Sequence, residues 1–341
     1  MRARLLILML AALLPLTACK YGENSSPAPN RIVLGYYTGD SDSSTSAQAS
    51  GTPLNEVAQD LISVDASGGL HGNLDSTLLT SDVAQGKLSY ATVSNFGATD
   101  FDADIAHGAM VTHRGTTILN ILTLAKNARL TGINLDFEGL SPADRGAYTA
   151  FVTSLAEQLH AQGSMLILSV PAKSMDDPSD SWTGAFDYAA LGQKADFMQV
   201  MTYDEHVPGQ GPGPVAGIDW MTADLDYAIS QISPDKILLG LPAYGYDFDV
   251  THNTGVQVEW KDFASLAASI GVHPVWDPVS ESEHFDYTAS DGSMHQVWYE
   301  TTRGIQDKAH LAVSLDLAGV SMWALGFEND AFWRAVSAGL N

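Results

Sequence analysis

Polar and apolar side chains alternate in a short segment near the middle of the chain. Residues 132–138 read Gly-Ile-Asn-Leu-Asp-Phe-Glu, which places Asn134, Asp136 and Glu138 two positions apart. Alternate side chains of a β-strand share a face, so these three point one way and the apolar ones point the other. Two carboxylates this close cannot both ionise easily in a low dielectric, so one tends to keep its proton near neutral pH. A carboxyl group of this kind suits general acid catalysis, such as protonation of a glycosidic oxygen.

The same spacing argues against a conventional pair of catalytic carboxylates. In retaining glycosidases with two carboxylates, the groups lie about 5 Å apart and flank the scissile bond from opposite sides. Neighbours on one strand cannot flank a bond, so the nucleophile must come from another part of the chain or from the substrate. Two other interpretations of the polar row are an antiparallel strand with solvated carboxylates and a metal site. The spacing is not a calcium loop, His-Glu-x-x-His does not occur and the ten histidines are scattered, so we predict no metal ion and no other cofactor.

Short apolar segments recur along the chain with helix-like stretches between them, which favours a parallel α/β fold. Residues 115–129, 142–162 and 222–233 have helical periodicity. Eight predicted strands favour a closed (β/α)8 TIM barrel, whose active sites lie at the carboxyl ends of the strands, where Glu138 would stand. An open, doubly wound sheet is the alternative, but no Gly-rich fingerprint follows the first strand. The predicted strands are residues 32–37, 61–64, 88–95, 132–138, 165–171, 197–203, 236–244 and 319–324.

One stretch interrupts this alternation. Residues 247–296 are too long for a βα loop and contain a helix-like piece, residues 262–270, among strand-like pieces. We predict a small α+β insertion between strands seven and eight of the barrel, where it would wall one side of the cleft. The whole barrel is expected over residues 31–341. The Ser/Thr-rich residues 40–52 are predicted to form a mobile loop after the first strand.

The first residues have the features of a targeting signal. Two arginines precede an apolar stretch, residues 5–16, which is shorter than the roughly 20 residues of a membrane span. The sequence Leu-Thr-Ala-Cys that ends at Cys19 resembles a bacterial lipobox, in which the cysteine is acylated; an ordinary secretory signal is the alternative. We expect residues 1–18 to be a signal peptide, Cys19 to carry a lipid anchor and residues 19–30 to be a tether. The expected location is the cell envelope, at the outer membrane if the host is Gram-negative.

Charge and cysteine content limit the possible partners. The chain has 40 acidic and 16 basic residues, a formal net charge of −24, and removal of the two arginines in residues 1–18 changes it to −26. Such a surface repels nucleic acid but not a neutral polysaccharide. Cys19 is the only cysteine, so the fold has no disulfides, and its acylation would exclude thiolate metal sites and cysteine nucleophiles. We expect a monomer.

Four motifs, in order along the chain, resemble those of glycoside hydrolase family 18, the chitinase family. Residues 131–138 resemble the family's fourth-strand signature, Asp-Gly-x-Asp-x-Asp-x-Glu, and residues 201–204, Met-Thr-Tyr-Asp, resemble its sixth strand. Residues 241–246, Leu-Pro-Ala-Tyr-Gly-Tyr, and 321–323, Ser-Met-Trp, are similar to its strands seven and eight. Residues 201–206 and the Pro/Gly-rich loop after them most resemble a branch that contains spore-cortex-lytic N-acetylglucosaminidases.

The fourth-strand segment departs from the family pattern at two positions. Thr131 replaces the first Asp, which is mainly structural in the family, and Asn134 replaces the middle Asp. Asn134 and Phe137 nevertheless match the cortex-lytic branch. The change at position 134 removes a charge that would tune Asp136, so it bears on the pH optimum more than on the reaction.

The resemblance implies a substrate-assisted mechanism with retention of configuration, since the family is an exception to the two-carboxylate rule. Glu138 would protonate the leaving oxygen while the substrate's 2-acetamido carbonyl attacks the anomeric carbon. Asp136 would orient the acetamide and balance its developing charge. Tyr203 and Asp204 would hydrogen-bond the acetamide, and Trp323 would form a stacking floor. These three residues have structural alternatives, respectively a barrel-filling aromatic, a loop cap and a core tryptophan.

Other side chains are weaker candidates for substrate binding. Gln199 and Met201 share a strand face with Tyr203, and Asn134 shares one with Asp136. Aromatic faces stack on pyranose rings, so four further aromatic side chains are candidates that packing would explain equally well: Tyr37, Trp220, Tyr246 and Trp298.

Together, these features predict a retaining glycoside hydrolase that cleaves β-1,4-linked N-acetylglucosamine in chitin oligomers or peptidoglycan. The main alternative is an inactive sugar-binding lipoprotein on the same barrel. Family members of that kind have typically replaced the residue at the position of Glu138, which is present here. A lipoprotein that captures solutes for a transporter also fits the anchor, but it does not explain the inward carboxylates.

Overall fold

A computed structural model describes residues 31–341. The predicted signal peptide, residues 1–18, the predicted acylation at Cys19 and the predicted tether, residues 19–30, lie outside the described residues. Within residues 31–341, no helix is long and apolar enough to cross a membrane.

Eight parallel strands form a closed barrel, which confirms the predicted fold. Each strand pairs with its neighbours, and the first pairs with both the second and the last, which closes the sheet. A two-residue strand, β3 (Leu70–His71), pairs antiparallel to the second barrel strand. The barrel strands are β1 (Ile32–Tyr37), β2 (Glu56–Val64), β4 (Leu88–Ser94), β5 (Gly132–Asp136), β6 (Met165–Pro171), β7 (Phe197–Met201), β8 (Ile237–Pro242) and β14 (Gly319–Trp323).

Helices cover the outside of the barrel and connect most of its strands. The long predicted helices are present within a few residues of their expected bounds. The helices of the barrel are α1 (Ser41–Gln48), α2 (Ser76–Gln85), α3 (Ala103–His107), α4 (Arg114–Ala128), α5 (Arg145–Ala161), α6 (Tyr188–Gly192), α7 (Ile218–Gln231), α9 (Thr302–Ser314) and α10 (Asp330–Leu340).

The prediction of a mobile loop over residues 40–52 was wrong, because this segment contains α1. The helix begins after Asp40, whose carboxylate accepts a hydrogen bond from the Ser43 N–H at 2.7 Å and so caps the first turn. Within the helix, the Thr45 hydroxyl donates to the Ser41 carbonyl at 2.9 Å. Ser and Thr are typical of loops because their side chains form hydrogen bonds with nearby backbone groups and so compete with helical ones. The Ser/Thr-rich composition therefore led to a loop prediction where a helix forms.

The predicted α+β insertion is an antiparallel sheet with one helix, and it is longer than expected. It extends beyond residues 247–296 at both ends, because the first and last of its paired strands continue to Tyr244 and Tyr299. One side of the sheet packs on the helix, where Phe263 and Tyr299 stack at a centroid distance of 4.4 Å. Its elements are β9 (Tyr244–Asp249), β10 (Thr254–Glu259), α8 (Phe263–Ile270), β11 (Val275–Asp277), β12 (Ser282–Thr288) and β13 (Met294–Tyr299).

The two faces of β5 divide as the alternation predicts. Ile133, Leu135 and Phe137 are fully buried in the core between the barrel and its helices. Asn134 and Asp136 point into the barrel. The lower interior is a small apolar cluster, which leaves the polar side chains of β5 towards the carboxyl ends of the strands; its members are Leu34, Tyr36, Ala58, Tyr90, Ile167 and Leu238.

Candidate active site

Asp136 is the last paired residue of β5, opposite Ser94 of β4. Its side chain is inside the barrel and only 8% exposed. Burial, followed by the negative charge of Asp60, raises the pKa of Asp136 to about 8, and a hydrogen bond from Ser169 opposes that rise. Its Oδ1 has no hydrogen-bond partner within residues 31–341. A buried acceptor without a partner is costly, so this oxygen is suited to a donor that arrives with a ligand.

Glu138 stands two residues beyond, just after the strand pairing ends. Burial raises the pKa of Glu138 well above its ordinary value, and the charges of Asp136, Asp204 and Asp60 raise it further. A carboxyl group in this environment keeps its proton near neutral pH. Glu138 therefore has the property that a general acid needs.

Asn95 holds the backbone of Glu138 on both sides. Its Oδ1 accepts a hydrogen bond from the Glu138 N–H, and its Nδ2 donates to the Glu138 carbonyl, both at 2.8 Å. The same Nδ2 donates to the Asp102 carbonyl at 3.0 Å. The amide is fully buried and continues the ladder between β4 and β5 one step beyond its last backbone pair.

A hydrogen-bonded network below the carboxylates includes both the oxygen and the nitrogen of the Asn134 amide. The Tyr36 hydroxyl donates to Asn134 Oδ1 at 2.7 Å, and Asn134 Nδ2 donates to Ser169 Oγ at 2.9 Å. Asn134 is fully buried, so the structure does not place this predicted binding residue where a ligand would touch it. An amide satisfies both neighbours without adding a third charge next to Asp136.

Tyr203 and Asp204 follow β7 and face the same end of the barrel. Asp204 has a left-handed backbone, with φ 63°, a conformation that Asp tolerates. Its Oδ1 accepts hydrogen bonds from the hydroxyls of Tyr244 at 2.7 Å and Tyr246 at 2.8 Å. Burial raises the pKa of Asp204, and these two hydrogen bonds oppose the rise. The carboxylate thus joins the barrel to β9 of the insertion.

A glycine on β8 makes room for two of the predicted residues. A Cβ at Gly240 would lie 2.8 Å from Tyr203 Cε1 and 3.0 Å from Gln199 Nε2. Gln199 is fully buried inside the barrel, and its Oε1 has no partner within the described part of the chain. Met201, at the end of β7, is half-buried. The close approach of β8 therefore decides how far Tyr203 and Gln199 reach into the barrel.

Aromatic side chains wall the side of the cleft next to the insertion. Trp323, at the end of β14, lies over Tyr36 with ring centroids 5.5 Å apart. Trp298 is paired directly with Tyr246 on the insertion sheet and stacks on His284 at 4.4 Å. Tyr246 and Trp298 belong to one aromatic cluster with Trp323, so the structure brings together three of the predicted substrate-binding aromatics.

Two of the weaker aromatic candidates lie elsewhere. Tyr37 belongs to the layer between the barrel and its helices, and its hydroxyl donates to Asp75 Oδ2 at 2.9 Å. Asp75 caps α2, so Tyr37 is a packing residue and its neighbour Tyr36 is the one that faces the interior. Trp220, on α7, also packs against the outer core.

Sequence reasoning missed Asn95, Asp60 and Tyr244. Asn95 was included as the last residue of the predicted strand 88–95, whereas β4 ends at Ser94, and its type alone did not reveal a contact with Glu138. Asp60 was hidden because only residues 61–64 of β2 were predicted as strand, although Ala58 and Asp60 share the inward face of its first half. Tyr244 lies in the quoted strand-seven motif, but its bond to Asp204 depends on the bend from β8 into β9.

Within residues 31–341, no group of three or more His, Cys, Asp or Glu side chains is arranged to hold a metal ion. A surface groove of about 650 Å³ lies outside the barrel, between the α2 and α4 regions, and no titratable side chain lines it.

The chain is similar in sequence and in structure to known glycosidases. Residues 84–328, more than half of the chain, match the family described as Glycosyl hydrolases family 18. An uncharacterized glycosylase of Bacillus subtilis, YvbX, is 37% identical over 313 residues, which cover 90% of this chain and 91% of that protein. A crystal structure of a chitinase from Chromobacterium violaceum is 39% identical with a TM-score of 0.87, and the match covers 91% of this chain and 99% of that one. The Bacillus cereus spore cortex-lytic enzyme SleL is 26% identical with a TM-score of 0.84, over 91% of this chain and 74% of that one.

The matched range includes Asp136, Glu138, Tyr203 and Trp323, which the barrel brings to one end. The fold, the arrangement of the site and the similarity to known proteins all indicate the same family. The chain belongs to glycosyl hydrolase family 18 and is a glycosidase.

Proposed function

We propose that this glycosidase cleaves β-1,4-linked N-acetylglucosamine glycans with retention of configuration, and that the substrate's own 2-acetamido group is the nucleophile. The observation that carries the proposal is the placement of Asp136 and Glu138. They project from one short segment, and Asp136 has an unpaired oxygen. This arrangement supplies an acid and an acceptor for an N–H group on the same side of a bound sugar.

In the first step, Glu138 protonates the leaving oxygen while the acetamido carbonyl attacks the anomeric carbon and forms an oxazolinium ion. Asp136 accepts a hydrogen bond from the acetamide N–H and balances the positive charge that develops there. Tyr203 donates its hydroxyl to the acetamide oxygen, and Trp323 supports the sugar ring. In the second step, water opens the ion from the same face with Glu138 as base. Activity requires Glu138 to be protonated and Asp136 to be ionised, so it is lost as pH falls through the pKa of Asp136 and as pH rises through the raised pKa of Glu138.

Exposed aromatic side chains beyond Glu138 support a binding site for the leaving sugar. Trp182 is 49% exposed and Phe96 is 44% exposed. Trp182 Cζ3 and Phe101 Cβ lie 3.9 and 3.8 Å from the position of a Cβ on Gly139, the residue after Glu138. Solvent-facing aromatics next to the acid are suited to stacking on a pyranose ring.

The loop that carries Trp182 is held firmly. Arg145 forms a two-pronged ion pair with Asp176, with N–O distances of 3.0 and 2.9 Å, and donates to the Gly184 carbonyl at 2.8 Å. Lys173 donates to Asp176 at 2.8 Å. A fixed loop presents its tryptophan at little entropic cost on binding.

The relatives and the charge of the chain support the proposed class of glycan. The solved relatives include chitinases and a spore cortex-lytic enzyme, and the acidic chain favours uncharged sugars over polyanions. Chitin oligomers and the glycan of peptidoglycan both fit this description.

We further propose that acylated Cys19 anchors the enzyme as a monomer to the cell envelope. A Cys19→Ala variant would then appear in the soluble fraction, and an unchanged membrane fraction would contradict the anchor.

The test compares the wild-type protein with Glu138→Gln on N-acetylglucosamine oligomers and on purified sacculi. We expect the wild type to release shorter saccharides from at least one substrate, and the variant to be slower by at least a hundredfold. Equal release by both proteins would contradict the mechanism. Binding of oligomers by both proteins without release of product would favour an inactive sugar-binding protein instead.

A further inference from the structure

Asp60 lies on the inward face of β2 at the carboxyl end of the barrel. The preceding residues fix its direction, because Ala58 is in the interior cluster while Val57 is in the outer core. Gln59 points outward, where its Nε2 donates to the Asp75 carbonyl at 3.1 Å. Asp60 therefore points inward.

The pairing of β2 with β4 is interrupted directly after Asp60. Gln59 is opposite Ala91, but the next paired residue is Ile62, opposite Val93. An irregularity of this kind bends a strand and re-aims its side chains, and such irregularities are common next to active sites. Here it turns the end of β2 at the level of Asp136 and Glu138.

The Asp60 carboxylate has no partner among the described residues. Within residues 31–341, it forms neither a hydrogen bond nor an ion pair, and no lysine, arginine or histidine pairs with Asp136 or Glu138 either. Burial alone raises the pKa of Asp60 to about 6. A partly buried carboxylate without a partner destabilises the fold. Its presence here therefore calls for a functional reason.

The same carboxylate acts on both predicted catalytic groups. Asp60 is the neighbouring charge with the largest effect on the pKa of Asp136, and it also raises the pKa of Glu138. The other titratable groups that face these carboxylates are Tyr36 of β1, Tyr148 of α5 and, beyond β7, Tyr203 and Asp204. Asp100 contributes least to Glu138. Asp60 thus points into the barrel close to the proposed acid and to the group proposed to contact the acetamide.

We propose that Asp60 is a further carboxylate of the active site, which accepts a hydrogen bond from a hydroxyl of the sugar at the cleavage point and stabilises the positive charge that develops on that sugar. This inference rests on the proposed function. Asp60 is on β2, apart from the aromatic wall formed by Trp323 and the insertion. It can therefore contact a part of the sugar that the aromatic side chains do not contact. A hydrogen bond to a charged acceptor is stronger than one between neutral groups.

The test is Asp60→Asn, which keeps the size of the side chain and removes the charge. We expect kcat/KM on a fluorogenic N-acetylglucosamine oligomer to fall about tenfold or more, in line with the loss of a charge-assisted hydrogen bond. Removal of the negative charge also lowers the pKa of Glu138, so the alkaline limb of the pH–rate profile should move to lower pH. Glu157→Gln, which removes an exposed charge on α5, is the control and should change neither quantity.

Two outcomes would overturn the proposal. One is a folded Asp60→Asn variant whose kcat/KM and alkaline limb equal those of the wild type. The other is a loss of activity that only follows a smaller folded fraction, with an unchanged pH profile, which would assign Asp60 a purely structural role. If the wild type itself is inactive, the proposed function fails, and oligosaccharide titration then tests Asp60 separately. Weaker binding by the variant supports the contact, and equal binding contradicts it.

Discussion

Substitution of Asn95 tests whether the position of Glu138 is set by one buried amide. Asn95→Ala removes both hydrogen bonds to the Glu138 backbone, each 2.8 Å long, and the 3.0 Å bond to the Asp102 carbonyl. A buried polar group that loses its partner costs about 1–3 kcal/mol. Water can reach some of these groups from the cleft, so we expect the free energy of unfolding to fall by about 2–4 kcal/mol in total.

The effect on activity should exceed the effect on stability. Displacement of a catalytic group by about 1 Å can reduce the rate a hundredfold, and Glu138 has already passed the last backbone pair of β5. We therefore expect kcat of Asn95→Ala to fall about a hundredfold, with a much smaller change in KM. Steady-state kinetics on N-acetylglucosamine oligomers, at a temperature where thermal unfolding shows the variant to be folded, measures both.

Two companion variants separate positioning from general damage. Asn95→Asp keeps an acceptor for the Glu138 N–H but places a negative charge beside Glu138, so the alkaline limb should move to higher pH. Asn120→Ala removes a hydrogen bond of 2.7 Å to the Gly68 carbonyl, remote from the cleft, and should lower stability without changing kcat. A folded Asn95→Ala enzyme with kcat within twofold of the wild type would refute the reasoning.

Three further changes have defined outcomes. Gly240→Ala places a Cβ within 2.8 Å of Tyr203 and 3.0 Å of Gln199, so it should lower kcat/KM at least tenfold, while an unchanged value would mean that neither side chain reaches the substrate. Trp182→Ala should raise KM several-fold for long glycans, with little effect on the shortest cleavable oligomer; an equal change for both lengths would contradict a leaving-side site. Burial and the charge of Glu205 raise the pKa of Asp224 to about 7, so its folded pKa exceeds its unfolded value and stability falls as pH rises from about 4 to 7. Asp224→Asn should therefore be more stable than the wild type at pH 8, on the order of 2–4 kcal/mol, and this advantage should vanish near pH 4, which thermal unfolding at the two pH values would show.

The barrel and its polar strand were predictable because both depend on local patterns. Alternation in residues 132–138 required that Ile133 and Asp136 face opposite sides of a strand, whatever the rest of the fold. The strand and helix order then limited the architecture to a few choices. β1 and β6 agree with the predicted bounds to the residue.

The parts that were missed depend on contacts that are distant in sequence. Asn95 acts on Glu138, which lies 43 positions later, and no local pattern reveals that bond. The choice between Tyr36 and Tyr37 required the phase of β1, which is set by pairing with β14 and β2. Asp60 needed the full length of β2, where polar residues inside the barrel obscure the strand pattern.

The central claim is that Glu138 acts together with an acetamido group of the substrate. It is tested most directly by digestion of partially de-N-acetylated chitosan, with the new reducing ends identified by mass spectrometry. The account predicts that every new reducing end is N-acetylglucosamine, because only an acetylated sugar at the cleavage point supplies the nucleophile. Glucosamine at the new reducing ends, in proportion to its content in the polymer, would contradict it.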